Sequence, residues 1–152
     1  MKEIKIVCVG KIKESYFTKG IEDAVKKIRR FCPIVLRECQ DEPTPEGASP
    51  AMERIIKDKE GQRILSCIDR EDYVVALCIE GKHYSTDKWH SHLSRIKDKT
   101  SASLVFVIGG SLGLSDEVIH RADEKLSFSA MTFPHQMMRV ILLEALEEWI
   151  NR

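Results

Sequence analysis

The sequence predicts an α/β fold, a mainly parallel sheet flanked by helices. Three observations carry that expectation. Near-continuous apolar runs, "IKIVCVG", "DYVVALCIEG" and "SLVFVI", read as strands covered on both faces. Segments between them repeat apolar residues at helical spacing. The two kinds alternate along the chain, as in strand–helix–strand units. At 152 residues, with no internal repeat and no low-complexity tract, the chain reads as one domain over 1–152.

Each element follows from its own residues. "IKIVCVG" is a buried strand ending at Gly10. "ESYFTKGIEDAVKKIRRF" sets Phe17, Ile21, Val25 and Ile28 on one helix face, with Lys and Arg on a solvated face. "PIVLREC" is a second strand. "QDEPTPEGASPAM" holds three of the five prolines and is a loop. "MERIIKDKEGQRILSCI" is a helix with an internal Gly61, which costs about 1 kcal/mol against Ala and so points to close packing or a substrate-facing position. Tyr73 to Ile79 form the third strand, followed by Gly81. "STDKWHSHLSRIKD" is a helix capped by Ser85, Thr86 or Asp87. "SLVFVI" is a strand and "SDEVIHRADEK" a short helix. "PHQMMRVILLEALEEWI" is a long helix with Pro134 in its first turn. That helix carries Met138, Ile141, Leu142, Ala145, Leu146 and Trp149 on one stripe, with Val140 and Leu143 beside it. The stripe is wide for one core face, and part of it is expected to pack on a second subunit.

Composition narrows the function classes. Lys plus Arg is 24 and Asp plus Glu is 24, so the formal charge is zero, which weighs against strong nonspecific nucleic-acid binding. No run approaches the roughly 18 apolar residues of a membrane span. Lys11 and Lys13 interrupt the N-terminal apolar stretch too early for a secretory signal. The five cysteines are odd in number and lack Cys-x-x-Cys spacing, so free thiols and a cytoplasmic location are expected. No metal is expected, because His90 and His92 stand two apart and no Cys/His spacing matches a ligand set. No Gly-x-Ser-x-Gly elbow suggests a hydrolase.

The stretch "LVFVIGGSLGLSDEV", residues 104 to 118, is a strand, a glycine-rich turn and a helix start. Ligands of open α/β sheets lie beyond the carboxyl ends of the strands. Gly109, Gly110 and Gly113 permit close backbone approach, and a plain tight turn is the alternative. There is no Gly-Lys-Ser/Thr, so this is no phosphate-cradling loop, and Gly-Gly-x-x-Gly does not match the dinucleotide fingerprint. Asp116 and Glu117 at the helix start would repel a pyrophosphate. The turn suits a ligand that is neutral or cationic there.

"LSFSAMTFPHQMMRV" admits two readings. Alternating Leu126, Ser127, Phe128 and Ser129 fit a half-buried strand. Equally, the segment is a loop whose backbone bonds a flat heterocycle between Leu126, Phe128 and Met131. His135 and Arg139, four apart, share a helix face. They read either as a capping histidine and a surface ion pair or as two polar groups at a site.

"VGKIKESYF", "KEGQRIL", "FVIGGSLGL" and "LSFSAMTFPHQMMRV" occur in that order over nearly the whole chain. Together they resemble the bacterial large-subunit ribosomal RNA pseudouridine N3-methyltransferases, the RlmH family of the SPOUT methyltransferases. The resemblance implies a deep trefoil knot in the C-terminal part and a homodimer holding S-adenosylmethionine in the knot. Carried over by motif, the cofactor would meet Leu77, Gly109 and the loop Phe128, Ser129, Ala130, Met131, Thr132 and Phe133. Gly110, Gly113 and Leu126 adjoin them. A cationic sulfonium and a flat adenine agree with the turn and loop as read above.

The implied reaction moves a methyl group to N3 of a pseudouridine in 23S rRNA of the assembled ribosome. His135 is the candidate base, and Arg139 the candidate for stabilising the uracil oxyanion or holding phosphate. Lys11 and Lys13 are the candidate RNA contacts. A non-catalytic cofactor-binding or dimeric interaction module is the alternative. The chain ends "LLEALEEWINR" where the family continues into a Tyr-His tail, so normal cofactor binding with poor methylation of ribosomes is expected.

Overall fold

A computed structural model describes residues 1–152, the side chain of His135 excepted. Ten elements alternate along the chain. They are β1 (Ile4–Val9), α1 (Ser15–Ile28), β2 (Ile34–Cys39), α2 (Pro50–Leu65), β3 (Tyr73–Lys82), α3 (Thr86–Lys99), β4 (Leu104–Ile108), α4 (Asp116–Arg121), β5 (Glu124–Leu126) and α5 (His135–Ile150). The five strands form one sheet in the order β2-β1-β4-β3-β5, and every neighbouring pair is parallel. The α/β class expected from the sequence is therefore the one observed.

Strand alternation divides the core. Ile4, Ile6 and Cys8 of β1, with Leu104, Phe106 and Ile108 of β4, face α1, α3 and α5. Val7, Val9, Val105 and Val107 face the other way, toward α2 and α4. All five residues of β4 are buried, as a central parallel strand requires. Burying each Ile, Val or Leu contributes about 1.5–3 kcal/mol, so the sheet centre anchors the fold. Among the described residues, no helix is long and apolar enough to cross a membrane.

The helices are held in different ways. In α1, Ile21, Ala24, Val25 and Ile28 are buried in one stripe and Lys26 and Lys27 suit its C-terminal dipole. By contrast, α2 has no strong apolar stripe. It starts because the Ser49 side chain accepts from Met52 N–H and Pro50 stands at its first position. It seats because Gly61 lets it approach α4, where any Cβ would collide with Ser115 Oγ. The internal glycine thus has a packing reason. In α5, Pro134 is the N-cap rather than a first-turn residue, because the helix begins at His135. Leu142, Leu143, Leu146 and Trp149 are buried within the subunit. Met138, Val140, Ile141 and Ala145 are half-buried.

The end of β3 presses on the end of β5. Leu126 pairs with both Leu77 and Lys82, so the register shifts between them. Ser127 N–H donates to Lys82 O at 3.0 Å. A Cβ at Gly81 would lie 2.7 Å from Leu126 N and 2.8 Å from Leu126 O. Two main chains pass here with no room for a side chain, and backbone cannot swing aside as a flexible side chain would. Gly81→Ala should therefore cost more than about 3 kcal/mol in urea unfolding, as overpacking against backbone does. A loss under about 1 kcal/mol would show that the contact is soft.

Candidate active site

One cleft of about 960 Å³ opens at the carboxyl ends of β3, β4 and β5. Its walls are Leu77 to Glu80, Ile108 to Leu114, Leu126 to Ser129, Met131 to Pro134 and Met138, with Lys57 and Asp116 at the rim. Of the residues expected at a cofactor, Leu77, Gly109, Gly110, Gly113, Leu126, Phe128, Ser129, Met131, Thr132 and Phe133 all line it. Ala130 is exposed within the same loop and does not. A second hollow of about 550 Å³ lies between α3 and the end of α5, and none of those residues lines it.

The glycine turn is closed on itself. Gly113 N–H donates to Gly110 O at 3.1 Å. Gly113 has φ +89°, left-handed backbone that side chains disfavour. A Cβ at Gly109 would lie 2.8 Å from Gly113 C. The chain then enters α4 through Ser115, whose hydroxyl accepts from Val118 N–H. With Asp116 and Glu117 occupying the first turn of that helix, no anion cradle is offered.

The segment after Leu126 is a loop, and the strand reading holds for Glu124–Leu126 alone. Serine hydroxyls explain the break, because they compete with a strand ladder for backbone partners. Ser127 Oγ donates to Ser129 O at 2.9 Å, and Met131 N–H donates to Ser129 Oγ at 3.0 Å. Phe128 anchors the loop edge-on against Trp89, with ring centroids 5.6 Å apart. Met131 stands 69% exposed at the mouth, beside exposed Ile79.

Charges at the cleft balance. Lys57 and Lys125 face Glu80 and Asp116. Cys78 also lines the cleft, and burial pushes its thiol above the usual range, so it is a poor nucleophile. Among the described residues, no group of three or more His, Cys, Asp or Glu could hold a metal ion.

Two sequence expectations need revision or restriction. Arg139 neither makes a surface pair nor faces the cleft. It is 1% exposed and acts as a strut from α5 to the end of β1. Its Nη2 donates to Val9 O at 2.8 Å and Gly10 O at 2.7 Å, and its Nη1 donates to Glu38 Oε2 at 2.8 Å. A guanidinium matches several acceptors at once, which is why Arg and not Lys suits this position. So occupied, Arg139 has no free donor for an oxyanion or phosphate except its unpartnered Nε, which is buried. The side chain of His135 lies outside the described residues. Lys11 and Lys13 are exposed just beyond Gly10, at the carboxyl end of β1, and do not line the cleft.

Sequence reasoning missed Glu60. It is 5% exposed on α2. Its Oε2 accepts from Glu42 N–H at 3.0 Å, and its Oε1 has no partner among the described residues. Burial pushes its carboxyl above the usual 4.5, against the Glu42 N–H bond that favours the ionised form. Gly61, next in sequence, was the one signal that this face of α2 is crowded.

These features define a class: an α/β protein with a parallel sheet whose glycine turn and serine-rich loop wall one cleft of balanced charge. The family described as "Predicted SPOUT methyltransferase" matches residues 1–147, and the chain belongs to that family. Its relatives include the ribosomal RNA large subunit methyltransferase H of Clostridioides difficile (strain 630), 52% identical over 93% of this chain and 89% of the relative. The proteins of that name from Bacillus pumilus (strain SAFR-032) and Clostridium acetobutylicum are 48% and 45% identical over the same shares.

Glu60 makes one titration behave in a defined way. A carboxyl whose folded pKa is raised stabilises the fold through its protonated form. That contribution is complete below about pH 4.5 and is lost as pH rises through the raised folded value. Glu60→Gln mimics the protonated form. The variant should be more stable than the parent at pH 8 in thermal unfolding, with the gap closing toward pH 4. A gap constant across that range would mean that Glu60 does not titrate as its burial requires.

Proposed function

We propose that this chain transfers a methyl group from S-adenosylmethionine to N3 of a pseudouridine in the large-subunit rRNA of the assembled ribosome. The observation that carries the reading is the convergence of the glycine turn, Leu77 and the loop after Leu126 on one cleft whose lining charges balance. The names of the relatives support an rRNA substrate. The family supports methyl transfer.

The residues fit that donor. Backbone groups of 109–113 and the serine-turned loop present donors and acceptors to a heterocycle, and Leu77, Leu126 and Phe128 offer apolar contact. When bound, the donor supplies an electrophilic methyl on a cationic sulfur. The chain's part is chiefly positioning, which is worth about 7–11 kcal/mol where alignment is good. The imide proton of N3 has to leave as the bond forms. His135 follows Pro134 of the cleft wall and remains the proposed base by its place in the chain. Arg139 is proposed here as a support that fixes the β1 end, from which Lys11 and Lys13 reach toward RNA.

A homodimer belongs to the same reading. Half-buried Val140 and Ile141 on α5, and exposed Ile79 and Met131 at the cleft mouth, are apolar groups that a second subunit would cover. Light scattering at micromolar protein should give twice the 17.4 kDa chain mass. A stable monomer would count against the dimer. The C-terminal knot is proposed likewise, on the ground of membership in the family.

The function is tested with tritiated-methyl donor and ribosomes from cells lacking the modification. Label should appear in the large-subunit rRNA and digest to N3-methylpseudouridine. Gly109→Ala, which forces a Cβ onto Gly113, should lower donor binding at least about tenfold, the scale of about 1.4 kcal/mol. Donor binding with no transfer to any ribosomal particle would favour a non-catalytic module.

A further inference from the structure

The glycine turn has a buried carboxylate behind it. A Cβ at Gly110 would lie 3.3 Å from Glu60 Oε1, 3.5 Å from Glu60 Oε2 and 3.2 Å from Val9 Cγ1. Gly110 itself lines the cleft. Glycine at 110 is therefore what lets the carboxylate approach the turn so closely.

The fold uses only one oxygen of Glu60, the Oε2 that accepts from Glu42 N–H. Its Oε1 has no partner among the described residues. The charges around it are Asp41 and Glu42, of the same sign, and Arg63. Arg63 is itself engaged by the Glu42 carboxylate and by Gln40 O at 2.8 Å. An unsatisfied buried charge lowers stability. Such groups concentrate where function needs them.

We propose, taking the cleft as the S-adenosylmethionine site, that Glu60 is the counter-charge of the donor's sulfonium. As a positioning residue, it favours the cationic donor over the neutral product. During transfer the carbon–sulfur bond breaks, its electron pair stays on sulfur, and the methyl carbon bonds to N3 as the N3 proton passes to the base, proposed above as His135. The sulfur is then neutral, while the adenosine and amino-acid groups are unchanged. A fixed negative charge behind the turn thus adds to donor affinity and adds nothing to product affinity. The exposed rim carboxylates, Glu80 and Asp116, are screened by salt, whereas a buried one is screened far less.

The test measures dissociation constants of S-adenosylmethionine and S-adenosylhomocysteine on the full chain and its variants. Glu60→Gln should lower the donor-to-product affinity ratio about tenfold, as loss of one charge roughly 12 Å away at an effective dielectric of about 20 implies. Product affinity should stay within about twofold. Glu60→Asp, which keeps the charge, should keep most of the ratio. An unchanged ratio in Glu60→Gln, or an equal loss for both ligands, would make Glu60 a mere prop of the turn and overturn the assignment. The unmodified chain gives a check without substitution. A buried counter-charge leaves its ratio nearly constant between about 0.05 and 0.5 M salt, whereas recognition by exposed carboxylates erodes it. If the unmodified chain binds neither ligand, the donor site itself is wrong and the role of Glu60 falls with it.

Discussion

The contact of Gly81 with the backbone of Leu126 is the constraint on which the site depends. Two main chains touch where β3 and β5 end, and Ser127 N–H is tied to Lys82 O. That contact draws the stretch after Leu77 and the loop after Leu126 to the same end of the sheet. The turn after β4, the strand next to β3, completes the wall. Move Leu126 by one side chain's width and Leu77, Gly109 and Phe128 no longer surround one space. Packing of β3, β4 and β5 thus fixes the cleft before any ligand enters.

Electrostatics divides the labour around that cleft. Arg139, the largest fully buried side chain, joins α5 to the end of β1 through two carbonyls and Glu38. Its charge is satisfied inside the fold, so it stabilises and does not search for substrate. Glu60 is the converse, buried with one oxygen left unpaired against the glycine turn. The rim charges cancel, and the acidic start of α4 disfavours phosphate. A neutral or cationic ligand is the one this arrangement tolerates. Exposed Lys11 and Lys13 stand apart at the end of β1, where polyanion contact would not compete with the cleft.

Much of this was legible in the sequence, for definite reasons. Strands covered on both faces are continuously apolar, so β1, β3 and β4 announced themselves. Helix α1 showed its stripe, and the prolines marked the loop before α2. The cleft residues were legible through motif resemblance, because a glycine turn alone does not name a ligand. What failed was long-range. Period-2 alternation could not choose between the strand and the loop read after Leu126, and the hydroxyls of Ser127 and Ser129, which bond locally and bend the chain, make it the loop. A four-residue spacing placed Arg139 beside His135 on the helix, but spacing cannot tell a solvent face from a face packed on β1. Glu60 sits in a helix with no strong apolar stripe, where a buried acid looks like every solvated one.

Hydrogen exchange with mass spectrometry tests the central claim, that this cleft holds the methyl donor, most directly. Saturating S-adenosylmethionine should slow exchange in peptides spanning 109–114 and 127–134, the two cleft walls of irregular backbone. Peptides of 87–97 and 149–152, around the second hollow, should be unchanged. Protection confined to that hollow, or none at saturating donor, would contradict the account.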